Sequence, residues 1–241
     1  MGAKGKSRSG ILITFEGGEG SGKTTQLRRL ATLLRQDGYR VVETREPGGT
    51  PVAERIREVL LSTPGKHPAT ESMTAACEVH LILAARSQHV THVIEPALQA
   101  GSIVLCDRFS DSTFAYQGYG RGLDLAALQE MNRLATGGLE PDLTLLFEIP
   151  VATGLARRRK FALEQNRLDH EAHEFHEKVR KGFLALAARA PQRIKKIDGL
   201  PHPETVTVGV TSVIQAFLTK ARTKRLTTVM HTQRMRPHRR S

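Results

Sequence analysis

The sequence predicts an α/β protein built on a parallel five-stranded sheet with helices on both faces. Two observations predict it. Short apolar runs alternate with longer stretches of helical period from one end of the chain to the other, the pattern of strand–helix–strand units in one parallel sheet. The first apolar run also passes directly into Gly17-Gly18-Glu19-Gly20-Ser21-Gly22-Lys23-Thr24 and then into a helical stretch. That order of strand, glycine-rich loop and helix is the setting in which the motif G-x-x-x-x-G-K-[ST] binds phosphate.

The elements follow in order. Ile11–Glu16 reads as a buried strand, and Thr24–Gln36 as a helix with Leu27, Leu30, Ala31 and Leu34 on one face and Gly38 as its stop. Arg40–Thr44 is the second strand, and Pro51–Leu61, with Val52, Ile56 and Leu60, the second helix. Thr70–Gln99 is long enough for one helix or two. The strand Ile103–Asp107, the helix Leu123–Leu134 and the strand Leu143–Ile149 come next. After Asp169, the residues Phe175, Val179, Phe183 and Leu186 mark a helix face; Ile194–Ile197 is the last strand and Pro203–Leu218 the closing helix. In such sheets ligands bind beyond the carboxyl ends of the strands. The glycine-rich loop, Thr44–Thr50 and Asp107-Arg108 all fall at such ends, so they are expected to share one cleft.

A chain of 241 residues suits one domain with tails. The reading places a short basic extension at 1–10, the domain at 11–218 and a basic, disordered tail at 219–241. The net charge of +12 comes mostly from the ends, because Thr219–Ser241 holds eight basic residues and no acid. A tail with so few large apolar residues cannot offset its ordering entropy by burial. Its charge suits nucleic acid or an anionic surface, and a solvated tail without a role accounts for it equally well. Cys77 and Cys106 stand in apolar contexts with no pairing or metal spacing and read as reduced core residues, which fits a cytoplasmic setting. No apolar run reaches the length of a membrane span, and Met1–Gly10 has no apolar core for a signal peptide. His170, His173 and His176 are spaced i, i+3, i+6, but no set of acids accompanies them. They read, with the other helix histidines, as solvated side chains rather than metal ligands.

The chemistry rests on three blocks. In the first, backbone N–H groups of Gly17 to Thr25 face phosphate oxygens, with the helix N-terminus behind them. Lys23 reaches the β- and γ-phosphates, and the Thr24 hydroxyl suits Mg²⁺. Residues Gly17, Gly18, Glu19, Gly20, Ser21, Gly22, Lys23, Thr24 and Thr25 are therefore the expected ATP site of a P-loop NTPase-type fold. The second block, Thr44-Arg45-Glu46-Pro47-Gly48-Gly49-Thr50, is a tight loop with Arg45 as a candidate phosphate clamp. In the third, Asp107 can hold Mg²⁺ through water or position an acceptor oxygen, and Arg108 can grip a phosphate with two parallel N–H bonds. The hydroxyl, phenol and amide groups of Ser112 to Gln117 follow at once and point to a nucleoside.

These blocks, with Glu19 inside the first and Ala115-Tyr116-Gln117-Gly118 closing the third, resemble bacterial thymidylate kinase over residues 11 to about 218. A looser fourth block is a basic lid, about 157–171. The resemblance implies transfer of the γ-phosphate of ATP to dTMP with Mg²⁺, a step toward dTTP, in a cytoplasmic homodimer. It implies that Glu19 meets the sugar 3′-hydroxyl, that Arg86, Thr113 and Gln117 contact the base, and that Tyr116 crowds the 2′-position. Arg108 then binds the acceptor phosphate beside Asp107. The loop holds no arginine between Gly17 and Lys23, so the mobile lid is expected to supply the catalytic one, with Arg157, Arg159 and Arg167 as candidates. The chain departs from the family at Ile82, where a phenylalanine commonly stacks on thymine. Two other readings stay open at this stage: a kinase for another nucleotide or nucleoside, and a P-loop ATPase or GTPase switch anchored to nucleic acid by its tail. The guanine-reading block Asn-Lys-x-Asp of the latter is absent.

Overall fold

The computed structural model describes residues 8–62, 72–161 and 167–234. Five strands, β1 (Ile11–Gly17), β2 (Val41–Arg45), β3 (Ile103–Asp107), β4 (Leu143–Glu148) and β5 (Ile194–Asp198), form one sheet in the order β2-β3-β1-β4-β5. Every pairing is parallel; Phe15, for example, stands opposite Asp107 on one side and Leu145 on the other. Strand order reverses around β1, and the crevice this leaves at the strand C-termini is where doubly wound sheets bind ligands.

Helices cover both faces: α1 (Lys23–Gln36), α2 (Pro51–Leu61), α3 (Ala75–His89), α4 (Glu95–Gln99), α5 (Ser110–Thr113), α6 (Leu125–Thr136), α7 (Val151–Phe161), α8 (His173–Arg189) and α9 (Pro203–Arg234). Successive strand residues point to opposite faces, which splits the core. Ile13, Phe15, Leu105, Leu145 and Phe147 pack under α1 and α9 with Leu27, Leu30, Val210 and Ile214. Leu12, Val104 and Cys106 pack on the other face with Val90, Ile94 and Leu98, and Leu146 meets Phe175, Val179 and Phe183 of α8. The central strands are buried on both sides, hence their unbroken apolar runs.

The structure corrects several boundaries. The stretch read as one helix or two is α3 and α4 joined by a π-type turn, Val90–Ile94. Pro96, which has no N–H to donate, follows that turn at the start of α4. The closing helix does not end at Leu218 but runs to Arg234. No Gly or Pro interrupts 219–234. The rest of the tail, 235–241, and the start of the extension, 1–7, lie outside the described residues. Arg8 is anchored, donating to Asp142 Oδ1 at 3.0 Å. Of the two cysteines only Cys106 is in the core; Cys77 is exposed on the outer side of α3. No described helix is long and apolar enough to cross a membrane.

Candidate active site

β1 ends at Gly17 and α1 begins at Lys23, so the glycine-rich loop caps the central strand of the sheet. The loop is held by close backbone packing. A Cβ on Gly20 would stand 2.1 Å from the Gly154 carbonyl oxygen, and one on Gly154 2.3 Å from that of Glu19. Only glycine permits this approach, and it seats the loop on α7. Lys23 Nζ donates to the carbonyls of Gly17 (3.0 Å) and Gly18 (2.7 Å). Burial, with Arg108 nearby, lowers the ammonium to about 8 against the pull of Glu19 and Asp107. Ser21 Oγ braces the loop on Gly18 O (2.9 Å). Thr24 Oγ1 donates to Asp107 Oδ2 across the mouth of the loop, and Thr25 is exposed beside it. Thr24 and Asp107 thus form an oxygen donor pair of the kind hard cations take. Among the described residues no cluster of three or more His, Cys, Asp or Glu could hold a metal by itself.

Arg108 is the one described non-glycine residue with a left-handed backbone, φ 69°. Such a conformation persists where surroundings over-determine it. Here Arg108 N donates to Phe15 O at 3.0 Å, and the next turn is tied to the buried Glu16. Glu16 accepts from Phe109 N (2.8 Å), Ser112 N (3.3 Å) and the Ser112 hydroxyl. The guanidinium lies back over the loop. Nη2 donates to Glu19 Oε1 at 2.6 Å and Nη1 to Gly17 O at 3.2 Å, while the group lies 5.1 Å over the Tyr116 ring. Tyr116 Oη donates to the same Glu19 oxygen at 2.8 Å. Burial alone would raise the Glu19 carboxyl, but Arg108, Lys23 and Tyr116 outweigh it and hold it at about 2. Burial raises the Tyr116 hydroxyl well above the usual phenol range, so it stays a donor.

Beside Arg108 opens a hollow of about 400 Å³. Its wall brings together the predicted Ile82, Arg86, Arg108, Thr113, Tyr116 and Gln117. Arg86 is almost fully buried, donating from Nε to Glu46 Oε2 (2.7 Å) and from Nη1 to Asn132 Oδ1 (2.8 Å), with Phe109 beneath it at 5.1 Å. Thr113 Oγ1 is buried without a partner, so the hollow holds an unsatisfied hydroxyl, which natural sites satisfy with ligand or water. Gln117 Nε2 donates to Glu78 Oε1 at 2.6 Å.

Other candidates lie apart. Arg45 is on the rim, forked onto Glu54 with two 2.9 Å bonds. Arg157 donates to the carbonyls of Gly199 (2.7 Å) and Leu200 (2.9 Å), Arg159 is exposed, and Arg167 pairs with Glu78 at 2.6 Å. Residues 162–166 of the expected lid lie outside the described residues.

Sequence reasoning missed several side chains. Arg158, forked onto Asp169 with two 2.9 Å bonds, lies near enough to Glu19 and Arg108 to be felt by both. Arg57 donates to Pro47 O at 2.8 Å; burial and Arg45 lower its guanidinium, while Asp107 is close enough to oppose them. Glu46 sits within a block already read as a loop, and Glu78 two turns before Arg86 on α3, so a helix-face reading would have found it. Two histidines are not solvated, contrary to expectation. His89 is fully buried between Thr44 and Glu46 (2.6 and 3.0 Å), and His176 packs its ring edge against Phe175. Both stand on helix faces turned to the sheet.

Known proteins share this arrangement. The thymidylate kinase family model matches residues 15–208. A thymidylate kinase of Thermomicrobium roseum is 50% identical over 211 residues, covering 88% of this chain and 97% of the relative. One from Pseudomonas fluorescens is 49% identical over 217 residues, covering 89% and 99%. A crystal structure of thymidylate kinase from Ehrlichia chaffeensis superposes with a TM-score of 0.67 at 34% identity, covering 85% of this chain and 98% of that one. The fold, the glycine-rich loop under Arg108 and the match over most of the length agree, and the chain belongs to the thymidylate kinase family.

Proposed function

We infer that the cleft phosphorylates dTMP to dTDP at the expense of ATP, with the residues acting as follows. The observation that carries this is the meeting of Ile82, Arg86, Arg108, Thr113, Tyr116 and Gln117 on one hollow beside the phosphate loop. ATP lies along Gly17–Thr25 with Lys23 on its β- and γ-phosphates. dTMP enters the hollow, its base toward Arg86, Thr113 and Gln117 and its 5′-phosphate toward Arg108. The acceptor phosphate oxygen is already anionic and needs no general base. It forms a bond to the γ-phosphorus as the bridge to the β-phosphate breaks, and ADP leaves.

Glu19, kept ionised by Arg108, accepts from the sugar 3′-hydroxyl, and Tyr116 fills the space a 2′-hydroxyl would need. Thr24 and Asp107 would hold Mg²⁺, which when bound neutralises charge on the transferring phosphates. Arg57 and Arg45 extend the cationic rim, and the lid supplies the last cation from among Arg157, Arg158, Arg159 and Arg167. Lid closure keeps water out, so that ATP is not simply hydrolysed. The enzyme works in the cytoplasm as a homodimer, for which exposed Val52, Val59 and Leu134 offer apolar surface.

A coupled ADP-release assay with ATP and Mg²⁺ tests this, comparing dTMP, dUMP, UMP, CMP, thymidine and no acceptor. Strong dependence on dTMP with weaker dUMP is expected. Equal ADP release without acceptor would overturn the kinase reading.

A further inference from the structure

Glu78 lies in the first turn of α3, away from the phosphate loop, and the reaction above gives it no part. Its carboxylate is buried and binds groups from separate parts of the chain. Oε1 accepts from Gln117 Nε2 at 2.6 Å. Oε2 accepts from Arg167 Nη2 at 2.6 Å and from Arg121 Nη2 at 3.3 Å. Arg121 reaches on to Glu171 Oε1 at 2.5 Å and covers the Phe175 ring at 4.5 Å. Gln117 is a wall of the acceptor hollow, whereas Arg167 and Glu171 belong to the lid, and Leu168 between them lines the hollow itself. A single buried carboxylate therefore joins the acceptor's wall to the far end of the lid.

The chemistry of that contact sets the Gln117 amide. An ionised carboxylate only accepts, so the amide must present its nitrogen to Glu78 and keep its oxygen as an acceptor. Two guanidiniums on the other oxygen keep Glu78 ionised: burial would raise its carboxyl, and Arg167 first among the opposing groups brings it below the usual range. An amide oxygen aimed at the ring N3 suits thymine and uracil, whose N3 carries a hydrogen, and opposes cytosine, whose N3 presents a lone pair.

We propose that Glu78 is a positioning residue that orients Gln117 to read the acceptor base and, through Arg167 and Arg121, latches the lid over that same acceptor. The proposal rests on the dTMP kinase reading. Turnover of dTMP by the unaltered enzyme tests that reading, and only differences among variants test Glu78.

The experiment measures kcat and KM with dTMP and dCMP, and ADP release without acceptor, for the full-length enzyme and for E78Q and E171A. In E78Q an amide replaces the carboxylate and Gln117 is no longer forced. The dTMP-to-dCMP ratio of kcat/KM is expected to fall by about tenfold or more, with more ADP release without acceptor. E171A removes the lid's bond to Arg121 and leaves the bonds of Glu78 to Gln117 and Arg167 in place, so ADP release without acceptor rises while the ratio is kept. An E78Q enzyme whose kcat/KM falls by one common factor for both nucleotides, with unaltered ADP release, would overturn the proposal in favour of a merely structural role. Should E78Q fail to fold, a double-mutant cycle of Q117A and R167A decides. Their described bonds meet at Glu78, so a departure of about threefold or more from simple multiplication in kcat/KM for dTMP supports coupling. Simple multiplication overturns it.

Discussion

Ile82, read from the sequence as a departure from the family pattern, lines the hollow, and its place there makes the consequence measurable. It lines the wall with Arg86 and Phe109. An aromatic ring adds about 0.5–1.5 kcal/mol over its buried area when it stacks. Ile82→Phe is accordingly expected to lower the KM for dTMP by about two- to tenfold with little change in kcat, read from initial rates. An unchanged KM would show that the base does not lie against residue 82. Glu16 gives a second test. Burial, and then Asp111 beside it, raises this carboxyl from 4.5 to about 8. Its contribution to stability is therefore full below 4.5 and lost as pH rises through about 8. Glu19, held at about 2, works oppositely: its contribution is present above 4.5 and lost as pH falls through about 2. Glu16→Gln should flatten the decline of Tm on the alkaline side, between about pH 5 and 8, and leave the acid side as it was. Thermal melts across that range would show it, and an equally steep decline in the variant would refute it.

At the scale of elements, the seat of the phosphate loop on α7 is the exposed joint. Gly154→Ala should favour the helix locally, yet its Cβ would press within 2.3 Å of the Glu19 carbonyl. The expected result is a loss in kcat/KM for ATP on the order of 100-fold, as for a displacement near 1 Å at a reacting centre, with little loss in Tm. A variant with unimpaired kinetics would mean the loop yields without cost. This joint also marks how far the sequence could be read. The glycine-rich loop, the two strand-end blocks and the five strands were legible because each is local, a spacing of residues along one turn or one run. Gly154 was not, because its constraint comes from a loop more than 130 residues earlier. Glu16 and Glu78 were hidden for the same reason, since a buried carboxylate looks like any other acid until its partners arrive from elsewhere. His89 and His176 were misread because helical period was sought in apolar residues alone. The length of α9 was misread from composition, which gives no weight to a helix already nucleated by its packed first half.

For the whole molecule, charge and catalysis lie apart. The tail beyond Leu218 carries eight basic residues and no acid, and among the described residues none that lines the hollow comes from it. Truncation after Leu218 should leave kcat/KM for dTMP within about twofold, since surface changes away from a site rarely act on it. Retention on a heparin column should fall, because like-sign clusters dominate binding to polyanions. A large loss of kinase activity would instead tie the tail to the cleft. The strand order has a consequence of another kind. β1 carries the phosphate loop, yet its sheet neighbours are β3, which begins at Ile103, and β4, which begins at Leu143. During synthesis the loop leaves the ribosome first and waits for nearly a hundred residues before its strand can pair at all. Its second edge is not covered until β4 follows, and parallel pairings this distant are slow to close. The nascent half-chain therefore carries an apolar strand without its sheet partners until β3 follows, the condition in which aggregation competes with folding.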